Sequence, residues 1–244
     1  MTFKMKKLII ALVLVLFPSL IQAKEGFTPI QDSNVFLIKG ATSGATIFLV
    51  NLPNRGKVLM TQVHVLEALG QNTKLFHGIK FGWFFKEENK NNNALELPFK
   101  QEIIWKNDEL DVAILKVPDE LIAKSNSLGL EIAPYKGGEA SLIGYPIIGK
   151  RTYPKVGKFW TRLGEFFGSV EQMESSGNVW KEGDHILSDI DALSGNSGGP
   201  ILNEDKKVIG IIHKMKTWHG IGYRYLNPHI EVTSIDEVLK ALEK

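Results

Sequence analysis

What most limits the folds open to this chain is the brevity of its apolar runs. Stretches at 35–38, 46–50, 57–61, 73–76, 79–85, 95–98, 111–116, 140–144, 166–171, 186–188, 208–213 and 222–225 are apolar or alternating, with Gly, Pro and Asn between them. Many short strands punctuated by turn residues predict an all-β chain, built as a sandwich or as barrels. Helical periodicity is confined to two places. Residues 64–69 are one short candidate. At 234–243, Ser234 and Glu237 have capping-box spacing, and Ile235, Val238, Leu239 and Leu242 share one apolar face. This C-terminal helix, about 233–243, is expected to dock on the β structure. Residues 86–93 are polar and of low complexity, and read as a solvated hairpin loop.

No linker-like stretch divides the chain, so two β units packed as one, about 30–130 and about 131–230, are expected. At the start, Lys4, Lys6 and Lys7 precede an apolar run at 8–16 and a small residue at Ala23. This pattern predicts a secretory signal at 1–23, cleaved after Ala23, with 24–244 exported to the periplasm or the medium. The apolar run is short for a bilayer and polar chain follows it, so no stable membrane anchor is expected after its removal. Removal takes three of the 29 Lys and Arg and none of the 27 Asp and Glu, leaving 26 basic against 27 acidic residues and a charge of −1. Near-neutrality argues against nucleic acid as the main partner. The chain has no cysteine, which removes disulfides, cysteine zinc sites and thiol nucleophiles together. Stability must therefore come from core burial, which a chain of this length can supply.

Chemistry concentrates at residues 195–200, Gly-Asn-Ser-Gly-Gly-Pro. A turn of such small residues presents Ser197 and brings the Gly195 and Ser197 amides together, as stabilising an oxyanion requires. Upstream stand Thr61-Gln62-Val63-His64 and Asp111-Val112-Ala113-Ile114-Leu115. A serine hydroxyl is a poor nucleophile until a base takes its proton. His64, with an ordinary pKa of about 6.5, can be that base. A carboxylate at Asp111 would hold the second ring nitrogen and stabilise the imidazolium. Taken singly, Asp111 reads equally as the start of an edge strand, His64 as a bonded residue at a strand–helix junction, and the turn as structural. Their joint occurrence in this order favours nucleophilic catalysis. Such chemistry needs no cofactor or metal, and His185, His219, His229 and Trp218 make no short-range metal motif.

These motifs resemble those of the trypsin-like serine peptidases, over most of the chain after residue 23. Residues 43–50 look like the small-residue strand leading toward the family's histidine. Gly144-Tyr145-Pro146 and Gly168-Ser169-Val170 look like the opening of the second barrel in bacterial members, and 208–213 like the strand beside the substrate. The resemblance implies two packed six-stranded antiparallel β-barrels of the chymotrypsin type with a C-terminal helix. It implies a serine endopeptidase with catalytic His64, Asp111 and Ser197, an oxyanion hole from Gly195 and Ser197, and a protein or peptide substrate. Asn196 stands where animal digestive members carry Asp, so activation through an ion pair with a new amino terminus is not expected. The chain is more similar to the bacterial branch, glutamyl-endopeptidase-like and periplasmic quality-control members included.

By the same resemblance Asp191, six residues before Ser197, lies at the base of the pocket for the side chain before the scissile bond. Ala192, Ile212, His213 and Lys214 line that pocket. Asp191 there would favour Lys or Arg, because a hidden carboxylate is costly without a cation. His213 lies near the histidine that receives an acidic side chain in glutamyl-specific members. An Asp191–Lys214 pair would leave the preference broad, and Asp189 competes with Asp191 for the pocket position. Residues 150–162 are basic and aromatic with no acidic residue. They are expected to frame the cleft as a loop, with a solvated structural loop and a polyanion or membrane contact as the alternatives. The chain is expected to be a monomer, and the opposing reading of its function is a catalytically weak binding module on a peptidase fold.

Overall fold

The computed structural model describes residues 27–41, 43–82, 86–125, 127–148, 169–193, 195–215 and 230–244. Its strands are β1 (Phe27–Pro29), β2 (Val35–Lys39), β3 (Gly44–Leu52), β4 (Gly56–Thr61), β5 (Thr73–Gly82), β6 (Lys86–Phe99), β7 (Ile103–Asn107) and β8 (Val112–Leu115). They continue as β9 (Gly138–Gly144), β10 (Ile147–Ile148), β11 (Ser169–Val170), β12 (Met173–Glu182), β13 (His185–Ser188), β14 (Pro200–Asn203), β15 (Val208–Met215) and β16 (Ile230–Ser234). Among the described residues the helices are α1 (Val63–Leu69), α2 (Asp119–Lys124) and α3 (Ile235–Leu242), all short.

The fold is chymotrypsin-like. In the C-terminal half β12, β13, β16, β15, β14 and β9 pair in that order, and a β12–β9 ladder closes them into a six-stranded antiparallel barrel. The N-terminal half is a second sheet ordered β10-β11-β5-β2-β3-β4-β8-β7, with β6 on the other edge of β5. Strands cross between the halves. β1 adds to β12 of the barrel, whereas β10 and β11 leave the C-terminal half and pair with β5 through Val170 and Phe81.

β3 explains why the halves pack as one. Its residues Phe48, Val50 and Leu52 face a core that also contains Leu202, Val208 and Ile211 of the barrel and Ile235 and Val238 of α3. The alternate residues Ala45, Ile47 and Leu49 face a second core with Val63, Val65, Leu66 and Leu69 of α1. Period-two alternation puts neighbours on opposite faces, so a strand apolar throughout is buried on both. α3 begins as its sequence predicts. Ser234 accepts the Glu237 amide and Glu237 answers with the Ser234 amide, a complete capping box.

Three readings of the chain change. Residues 86–93 are not a loop but the first part of β6, in which 86–90 pair with 79–82 of β5. A ladder is made by backbone groups, so an Asn- and Lys-rich segment can pair in it without an apolar pattern of its own. The runs 73–76 and 79–85 contain one strand, β5, whose register shifts between His77 and Ile79. β12 was not visible as an apolar run because only positions such as Met173, Ser175 and Val179 face inward. The signal at 1–23, the loop 150–162 and the run at 222–225 lie outside the described residues, as do His219, His229 and Trp218.

Candidate active site

His64 is the second residue of α1, which follows β4 after one extended residue. Val63, Val65, Leu66 and Leu69 turn inward, so the helical period leaves the His64 side chain 53% exposed on the outer face. A helix begins with amides that lack internal acceptors. Here Asp111 supplies them from another part of the chain, its carbonyl taking the Val63 amide at 3.3 Å and its Oδ1 the His64 amide at 3.0 Å. Asp111 sits in the turn before β8 with φ 52°, a left-handed conformation that Asp tolerates better than most residues. Its second oxygen, Oδ2, lies 2.6 Å from His64 Nδ1.

That contact sets the charge of both groups. The hydrogen bond to Asp111 raises the His64 pKa, partial burial opposes it, and the charges of Asp111 and Glu67 add to the rise. Burial alone would push the Asp111 carboxyl up. The hydrogen bonds from the His64 ring and amide, with the charges of His64 and His213, outweigh it and hold the carboxyl below its ordinary range. With Nδ1–H donating to Asp111, Nε2 of the neutral ring is left as a base.

The serine turn is clamped onto the N-terminal sheet. Thr46 on β3 donates its amide to Ser197 O at 2.9 Å and its hydroxyl to Gly195 O at 2.8 Å. Gly195 has φ 97° and Gly198 φ 81°, conformations that favour glycine. A Cβ on Gly198 would stand 2.1 Å from Thr61 Oγ1 and 2.3 Å from Thr46 O, so only glycine lets the turn come this close to β3 and β4. Among the described residues neither the Gly195 amide nor the Ser197 amide is given to an acceptor within the protein. The Ser197 hydroxyl and the His64 ring are not hydrogen-bonded to each other.

One residue at this junction was not anticipated. Gln62, 1% exposed, donates through Nε2 to Asp111 Oδ2 at 2.9 Å and to His213 O at 2.5 Å. Its Oε1 accepts the Gly198 amide at 2.7 Å. The sequence signal was a long amide standing between the strand that ends at Thr61 and the apolar Val63.

Of the residues expected to line a pocket, Ile212 touches this turn and the side chain of Lys214 lies outside the described residues. Asp191 is partly exposed and its carbonyl accepts the Ser175 hydroxyl at 2.7 Å, while Ala192 is buried. Asp189 is turned away onto β12, where its Oδ1 takes the Asn178 amide at 2.6 Å. Ile212 on β15 is buried and donates its amide to Gly199 O at 3.3 Å. His213 occupies a register shift between Ile212 and Lys214, and its Nδ1 lies 2.9 Å from Thr233 Oγ1. Thr233 spends its hydroxyl hydrogen on Leu110 O at 3.1 Å, so Nδ1 of His213 is the donor. His185 contacts Glu231.

A closed barrel joined to a second sheet, with a small-residue serine turn docked beside a His–Asp pair, defines the chymotrypsin-like serine endopeptidases. Residues 45–211 match the trypsin-like peptidase domain, and the chain belongs to that family. The active form of the Rv3671c protease from M. tuberculosis has this fold, at 18% identity over 88% of this chain and 81% of that one, with a TM-score of 0.54. So does the serine endoprotease from Yersinia pestis, at 15% identity over 87% of this chain and 62% of that one, with a TM-score of 0.54. The serine protease domain of the Sesbania mosaic virus polyprotein is similar at 13% identity over 85% of this chain and 93% of that one, with a TM-score of 0.52. A peptidase fold of this family implies protein or peptide substrates.

Proposed function

We propose that this protein hydrolyses peptide bonds through an acyl-enzyme on Ser197. His64 Nε2 takes the hydroxyl proton as Oγ bonds to the scissile carbonyl carbon, and Asp111 holds Nδ1–H and the imidazolium charge. The Gly195 and Ser197 amides receive the oxyanion. His64 then protonates the leaving amine as the C–N bond breaks, and water activated by the same ring releases the acid. The observation that carries this reading is the two-point hold of Asp111 on His64, beside a serine turn fastened to Thr46 of β3 and to Gln62 at the end of β4.

Asp191 is proposed to favour Lys or Arg before the scissile bond, supported by its partial exposure beside the turn and by the diversion of Asp189 to Asn178. Export with loss of residues 1–23 is proposed on the basic head and apolar run of the N-terminus. N-terminal sequencing of the exported protein should begin at Lys24.

The test of the chemistry is labelling with an arylsulfonyl fluoride. Stoichiometric modification of Ser197 that disappears in His64→Ala is expected. A folded wild type that resists the reagent and hydrolyses no peptide would instead make the chain a binding module.

A further inference from the structure

We propose that Gln62 is a positioning residue for this site, one carboxamide that ties the carboxylate of the His64–Asp111 pair to the serine turn and to the strand carrying His213. The proposal rests on the peptidase reading above. Its geometry accounts for the whole side chain. The two Nε2 hydrogens go to Asp111 Oδ2 and His213 O, and Oε1 takes the Gly198 amide. A carboxamide has two donors on nitrogen, so each finds an acceptor and the amide orientation follows from its partners. Gln62 also occupies the N-cap position of α1 without a side-chain bond to that helix, so capping is not why a polar side chain stands here. An apolar residue would fill a site 1% exposed at lower desolvation cost.

Two consequences follow. Four segments distant in sequence, the β4–α1 junction, the turn before β8, the turn holding Ser197 and β15, are linked through one side chain. Gln62 also donates to Oδ2, the same oxygen that faces His64 Nδ1, and so draws part of the carboxylate charge away from the ring. The titratable groups bearing on this pair are Glu67 on α1 toward His64 and His213 on β15 toward Asp111. Gln62 is the neutral polar neighbour among them.

The test compares wild type with Gln62→Met and Gln62→Glu in the full chain, by NMR titration of the His64 ring and by the pH dependence of peptide hydrolysis. Methionine keeps the length and removes all three hydrogen bonds. The His64 pKa is expected to rise by about half a unit, and kcat to fall about tenfold or more with KM changed less than about threefold. Glutamate keeps an acceptor for the Gly198 amide but sets a second acid beside Asp111, and should raise the His64 pKa further. If the methionine variant does not fold, the glutamate variant decides. Folded variants with an unmoved His64 titration and kcat within about twofold of wild type overturn the proposal. A fall in rate that only follows the fraction of folded protein also overturns it. A wild type that titrates normally yet neither hydrolyses peptides nor labels at Ser197 overturns the peptidase reading instead, and the titrations alone then judge Gln62.

Discussion

Asp111 serves His64 in two capacities, completing the start of its helix through the backbone amide at 3.0 Å and fixing its ring through Nδ1 at 2.6 Å. One carboxylate thus joins local folding to proton transfer, and its removal should disturb both.

In Asp111→Asn the ring loses the partner that favours its charged form, so the His64 pKa should fall toward or below its ordinary 6.5. kcat should drop by about 10⁴, the scale of the equivalent Asp-to-Asn change in a Ser-His-Asp triad. Stability carries the same signature. The raised His64 pKa contributes stability that is full below 6.5 and lost as pH rises through the folded value. The lowered Asp111 pKa contributes stability that is full above 3.8 and lost as pH falls through its folded value. The variant's deficit in urea unfolding should therefore be largest between 3.8 and 6.5 and shrink above the His64 pKa. A deficit independent of pH would refute the linkage.

Gly198→Ala should be severe, because the added Cβ meets Thr61 Oγ1 at 2.1 Å and the φ of 81° is already unfavourable for alanine. A loss of about 3 kcal/mol and of serine labelling is expected. Gly183→Ala is the control. Its φ is 62° but nothing lies within 4 Å of the new Cβ, so it should cost only about 1 kcal/mol and leave labelling intact. Equal losses in the two unfolding curves would mean that steric approach to β4 is not the constraint.

Ser234→Ala removes one half of the capping box on α3, the helix whose Ile235 and Val238 enter the core shared by both halves. Thermal and urea unfolding should show a loss of about 1 kcal/mol. Peptide hydrolysis at temperatures where the variant stays folded should equal that of wild type.

Cleavage of a diverse peptide library should concentrate after Lys and Arg, and Asp191→Ser should reduce those cuts by about a hundredfold while cuts elsewhere persist. Cuts mainly after Glu, abolished in His213→Ala, would reassign the pocket to the imidazole held at Thr233.

Strand positions such as β2, β3, β4 and β9 were legible because their apolar residues are consecutive, and α3 because its cap and face are local. β12 and the polar half of β6 were not, since their place depends on what pairs beside them rather than on their own side chains. The candidate site divides in the same way. His64, Asp111 and Ser197 stand in distinctive local contexts, whereas Gln62, Thr46 and Thr61 become significant only through partners 15 to 151 residues away.

The order of residues alone established a cysteine-free β chain with a glycine-framed serine, a histidine opening a helix and an aspartate opening a strand, since each is written within a few neighbouring positions. Tertiary structure alone decided that Asp111 caps the helix of His64, that Asp189 turns to β12, and that a glutamine amide links four distant segments. Hydrogen bonds and close approach depend on distances in space, and folding brings together groups whose separation along the chain carries no trace of it.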